Sequence, residues 1–130
     1  MIAYRRLAVW EKSHALTLRV YRATDGPALH RFPGLSAQLR RSIAAIPANI
    51  VEGAGHASQA QFNRFLEIAL ASSREADYHL LLAKELELVT AKEYAVLEAR
   101  LSEVQAMLTG LRKRVVEKIR ESKATRRGGR

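Results

Sequence analysis

Arg74 and His79 stand five residues apart in Arg74-Glu-Ala-Asp-Tyr-His79, a spacing that could serve metal-independent RNA cleavage. The histidine would assist attack by a ribose hydroxyl while the arginine held the phosphate. The signal is weak, because 16 arginines and 4 histidines in 130 residues yield about 1.5 such pairs by chance when three spacings are allowed. The pair is kept as the one catalytic alternative; otherwise the chain is read as no enzyme, with no catalytic residues. Together with His14, His30 and His56, His79 makes neither a His-x-x-x-His turn nor the two Glu-x-x-His turns that hold a di-iron centre, so no metal is expected. The absence of cysteine removes thiolate nucleophiles, cysteine-liganded zinc and disulfides together. Gly53-Ala-Gly55 follows a helical pattern rather than a strand, which separates it from phosphate-binding loops. No cofactor is expected.

The remaining chemistry is cationic. The net charge is +9 from 22 basic and 13 acidic residues, a balance that points to an anionic partner, with nucleic acid ahead of a membrane surface. It is distributed unevenly: +4 over residues 1–31, +1 over 32–57, −3 over 58–111 and +7 over 112–130. Arginine supplies 16 of the 22 cations, and its planar fork suits bidentate phosphate contact. No segment approaches the run of about 20 apolar residues that a membrane span requires, and no signal peptide opens the chain, so a cytoplasmic location is expected.

The elements that position these groups are helical. Ala and Leu number 38 against 14 for Val and Ile, and unbranched side chains lose less rotamer freedom in helices. A first helix is expected over about 7–25, with Leu7, Trp10, His14, Thr17 and Tyr21 on its inner face. A second, over about 35–53, has Leu35, Leu39, Ile43, Ile46 and Ile50 inward, is kinked at Pro47, and is capped at Gly53. Capping boxes at Ser58-Gln-Ala-Gln61 and Thr90-Ala-Lys-Glu93 open the third and fourth helices. In the fourth, Tyr94, Leu97, Leu101, Val104, Leu108, Leu111 and Val115 alternate at three and four until Lys118 interrupts them.

Short links make neighbours antiparallel, so the expected fold is all-α: an up-down-up-down four-helix bundle with two shorter and two longer helices. It occupies residues 1–122 and is followed by a basic, disordered tail at 123–130. In that topology the start of the first helix and the end of the fourth fall at the same end. Arg5, Arg6, Arg112, Lys113, Arg114, Lys118 and Arg120, with Arg126 and Arg127 from the tail, become the candidate nucleic-acid contacts.

The stretch Gly34-Leu-Ser-Ala-Gln-Leu-Arg-Arg-Ser-Ile-Ala-Ala-Ile-Pro-Ala-Asn-Ile-Val-Glu-Gly53, continued by Phe62-Asn-Arg-Phe-Leu-Glu-Ile-Ala-Leu-Ala-Ser-Ser-Arg-Glu75 and preceded by Tyr4-Arg-Arg-Leu-Ala-Val-Trp10, resembles the signature of the four-helix-bundle proteins encoded by intervening sequences of bacterial 23S rRNA genes. The resemblance spans roughly residues 4–110. It implies an up-down bundle that assembles as a homopentamer. It also implies kinship with the accessory protein of diversity-generating retroelements, which binds nucleic acid and a reverse transcriptase. Where the family usually has an acidic residue, this chain has Arg6. Gln38, Arg41, Asn49 and Glu75 are the polar members of the motif, expected as a buried network or subunit contact, and Pro47, Glu52 and Gly53 complete it. The Arg74–His79 spacing is similar to that of HEPN-type ribonucleases, which are also helical bundles. The function expected is a noncatalytic, homo-oligomeric binder of RNA or DNA backbone, possible partners including a reverse transcriptase. The alternative is a protein scaffold ring without nucleic-acid affinity.

Overall fold

The structure is a computed structural model describing residues 2–128, apart from the side chains of Ala28 and Leu29. After a 3-10 turn at Tyr4–Arg6, five helices follow: α1 Ala8–Ala23, the one-turn α2 Pro27–Arg31, α3 Pro33–Ala54, α4 Gln59–Glu85 and α5 Ala91–Gly128. The four long helices form an up-down-up-down bundle in which α1 packs on α3 and α5, and α4 packs on the same two from the opposite corner. α2, which the sequence reading did not separate from a loop, rests against α3. Leu16, Val20, Leu39, Ile43, Ile46, Ile50, Leu66, Leu80, Leu97, Leu101, Val104 and Leu108 fill the core.

Both capping boxes form at their serine or threonine side: Ser58 Oγ accepts the Gln61 amide at 3.2 Å and Thr90 Oγ1 accepts that of Glu93 at 3.1 Å. Between them α4 ends in a tight reversal. The Leu88 amide donates to the Ala83 carbonyl and the Glu87 amide to that of Lys84, while Glu87 takes φ 61°. This is the double bond pattern of a Schellman cap, with glutamate at the left-handed position that glycine usually fills. Leu88 is buried alongside Ala83, which closes the reversal on the core.

Three expectations are corrected. The buried side of α1 is Val9, Ser13, Leu16 and Val20, about one residue's rotation from the expected face; Tyr21 and Leu18 are exposed, and His14 with them. Ser13 and Thr24 can be buried because each hydroxyl donates to a carbonyl of its own helix, of Trp10 at 3.0 Å and Val20 at 2.7 Å, leaving no unpaired donor. Gly53 is not a left-handed cap but a buried helical residue, and α3 continues to Ala54. A Cβ at Gly53 would stand 2.8 Å from Phe65 Cβ, so the glycine lets α3 and α4 approach. Finally, residues 123–128 are not coil: α5 runs on through them, with the good helix formers Lys123, Ala124, Arg126 and Arg127 outnumbering Thr125 and Gly128, and with cations at a C-terminal end, where they meet the helix dipole favourably. Gly129 and Arg130 lie outside the described residues.

α3 stays a single helix through Pro47. The proline has no amide for the Ile43 carbonyl, and the hydroxyl of Thr17 on α1 lies near that carbonyl while its one proton goes mainly to the nearer Ser13 carbonyl. Thr17 Oγ1 lies 3.5 Å from the Ile43 carbonyl and 2.8 Å from the Ser13 carbonyl of its own helix.

Candidate nucleic-acid interface

At 38 and 27 residues, α5 and α4 are about 57 and 40 Å long at 1.5 Å per residue. Their register follows from three cross-contacts: Arg112 with Glu67, Gln105 with the Ser73 carbonyl, and Tyr94 with Lys84. Each pair of numbers adds to 178 or 179, so Gln59, where α4 begins, faces α5 at about residue 119 or 120. Ile119 is the last α5 side chain packed against the core. The remaining residues, through Gly128, are exposed and extend beyond α4 by about 13 Å.

The chain start is tied to this same end. The Ile2 amide donates to the Ala54 carbonyl at 2.9 Å, and Tyr4 meets Trp10 edge-on with ring centroids 5.0 Å apart. Trp10 packs against the core and stacks on His14. The turn so held presents exposed Arg5 and Arg6, Arg5 Nε donating to Tyr4 Oη at 3.3 Å. A groove between α1 and α5, lined by Leu7, Ala8, Gly110 and Arg114 among others, places the beginning of α1 beside that part of α5.

The expected cations are therefore gathered at one end, in unequal states. Lys113, Arg114, Lys118, Arg120, Arg126 and Arg127 are exposed, with no acidic partner within ion-pair distance among the described residues. Arg112 is different: its guanidinium is held 2.8 Å from Glu67 Oε1, an oxygen that also accepts from Asn63 at 3.2 Å. Arg112 serves first as a tie between α4 and α5. Lys123, absent from the sequence-based set, joins the exposed group; only the helical state of this segment gives it a fixed place among the others.

Arg41 donates to Gln38 Oε1 at 2.6 Å and to Glu75 Oε1 at 3.1 Å, so the motif does join α3 to α4. The join lies on the outer surface rather than in the interior, both charged side chains being more than 40% exposed. Asn49 is outside it, donating to the Ala45 carbonyl of its own helix, and Glu52 faces His56, which stacks on Phe65. Pro47 and Gly53 are buried. Arg74 and His79 share α4, but five residues at 3.6 per turn set them about 140° apart around its axis.

Two arrangements had no sequence signal. Arg19 of α1 grips Glu93 of α5 with Nε and Nη2, at 2.7 and 3.1 Å from its two carboxylate oxygens. That hydrogen bond holds the glutamate below its ordinary pKa and the arginine above its own, against a smaller opposing effect of burial. The pair lines a groove with Leu18, Arg22, Leu88, Val89 and Arg100. Arg40 covers the exposed Tyr21 ring at 4.7 Å while donating to Thr24 Oγ1 at 2.9 Å. Among the described residues no three His, Asp or Glu side chains converge as metal ligands, and no helix is long and apolar enough to cross a membrane.

Fold and motif together define a four-helix-bundle protein with a surface-exposed Gln38–Arg41–Glu75 join and a cationic end. The chain belongs to the 23S rRNA-intervening sequence protein family, which matches it over residues 5–110. A solved structure from Bacteroides thetaiotaomicron, described as a protein with unknown function from the S23 ribosomal protein family, is similar: 28% identity, TM-score 0.74, covering 82% of this chain and 99% of that one. No curated protein matches the sequence. The family match ends at Gly110, so every α5 cation from Arg112 onward lies beyond it.

Proposed function

We propose that the protein is a noncatalytic binder of nucleic-acid phosphate backbone, acting through Arg5, Arg6 and the exposed cations of α5, and that it works as a homo-oligomer. The observation that carries this reading is the group of cations without an ion-pair partner among the described residues, on one helix beside the basic first turn. Cations already bound to carboxylates release no counterions from a phosphate chain, whereas unpaired ones give an affinity that falls steeply with salt. Self-association is supported by the apolar surface of α4, where Ile68, Tyr78 and Leu81 are exposed, and solution light scattering reads it directly. Association with a reverse transcriptase belongs to the same proposal, and co-purification with a co-expressed reverse transcriptase reads it.

Fluorescence anisotropy of labelled RNA and DNA strands with the full chain, titrated with salt, tests the binding. Replacing Lys113, Lys118 and Arg120 together by glutamine is expected to weaken binding across sequences and to flatten the salt dependence by about 2 to 3 in log–log slope. Unchanged affinity in that variant overturns the assignment. An assembled ring that binds no strand even at low salt favours the scaffold reading.

A further inference from the structure

The segment of α5 that outruns α4 has an ordered charge pattern of its own. At about 100° per residue, Lys118, Arg126, Lys123, Arg127 and Arg120 follow one another around about 200° of the helix, while Glu117 and Glu121 share the opposite side. Arg126 stands seven residues beyond Ile119, two turns on and on nearly the same line. Ile119 packs against the core, so the cationic face continues the buried stripe past the point where the bundle stops. It looks across the end of the bundle that carries Arg5, Arg6 and the α3–α4 loop.

Resting on the proposed nucleic-acid reading, we propose that this projecting end of α5 lies in the major groove of B-form duplex DNA. A helix with its side chains is about 10–12 Å across, and the B-DNA major groove is about 12 Å wide. Lys118 on one flank, and Arg120 with Arg127 on the other, are nearly opposite one another and reach the two phosphate walls. Arg126 and Lys123 between them face the groove floor, where guanine offers its O6 and N7 acceptors to such donors. The glutamates then point out of the groove, away from phosphate. A-form duplex RNA has a major groove too deep and narrow for this entry. The face belongs to this chain rather than to the matched family segment, which stops at Gly110.

The test compares a 20-base-pair mixed-sequence DNA duplex with the RNA duplex of the same sequence, using full-length protein and the variant Lys123→Gln/Arg126→Gln/Arg127→Gln. None of the three touches the core, and circular dichroism checks that the variant is folded. The unsubstituted protein is expected to bind the DNA duplex at least tenfold more tightly than the RNA duplex and to protect guanine N7 from dimethyl sulfate. The triple variant should lose at least tenfold in DNA affinity and lose the N7 protection. Equal binding of both duplexes without N7 protection overturns groove entry while leaving backbone binding standing. Failure to bind any strand or duplex at low salt overturns both.

Discussion

Gly53 of α3 and Phe65 of α4 meet so closely that a Cβ added to the glycine would lie 2.8 Å from Phe65 Cβ and 3.0 Å from Phe62 Cδ1. The nearest of these atoms is the base of a side chain, which cannot swing away, so only movement of a helix relieves the clash. Gly53→Ala should therefore destabilise the fold by about 1–3 kcal/mol, the usual cost of overpacking, despite alanine's better helix propensity. Chemical denaturation measures it, with Gly55→Ala as the control: there the nearest atom is a carbonyl oxygen at 3.4 Å, and little change is expected.

Thr17 and Pro47 form a second cross-helix dependence. Thr17→Val removes a hydroxyl that donates to the Ser13 carbonyl at 2.8 Å and lies 3.5 Å from the Ile43 carbonyl, and should cost about 1 kcal/mol, the usual worth of a hydrogen bond in this setting. In a Pro47→Ala background the residue 47 amide can serve the Ile43 carbonyl, and the cost of Thr17→Val should shrink. Equal costs in the two backgrounds would separate the threonine from the proline.

Glu87 holds φ 61° at the end of α4, a conformation that costs an L-residue about 1–2 kcal/mol and glycine almost nothing. Glu87→Gly should raise the thermal midpoint, with a gain of about 1 kcal/mol. A lowered midpoint would show that the carboxylate itself supports the turn.

The Arg19–Glu93 pair makes stability depend on acid. Because the folded pKa of Glu93 lies below its ordinary value of 4.5, its contribution is complete above that value and is lost as pH falls through the lower folded one. Stability measured against pH should thus fall more steeply below pH 4.5 in the native protein than in Glu93→Gln, and the two curves should converge in acid. Parallel curves would remove the pair as a source of acid sensitivity.

Much of the fold was legible in order of residues because apolar spacing reports directly on burial. Leu97, Leu101, Val104, Leu108 and Val115 are buried as their spacing predicts, and Leu39, Ile43, Ile46 and Ile50 likewise. On α1 the same reasoning misplaced the inner face by a residue. It counted His14 and Tyr21, both exposed, as inward and passed over Ser13 and Thr24, whose hydroxyls are satisfied within the helix. Arg40, meanwhile, covers Tyr21 from outside the core.

The sequence by itself determined the helical class, the two side-chain caps, the bundle topology and the terminal concentration of charge, because each depends on local propensity or periodic burial. Only the tertiary structure decided which cations are unpaired. Arg112 meets Glu67, and Arg19 meets Glu93 across 74 positions, pairings set by helix register rather than chain order. The structure also decided that α5 outruns α4, because α5 stays helical to Gly128 and reaches 38 residues against 27. Gly53 shows the limit most plainly: whether a glycine ends a helix or admits a neighbour depends on what lies opposite, and Phe65 is found there only once the helices pack.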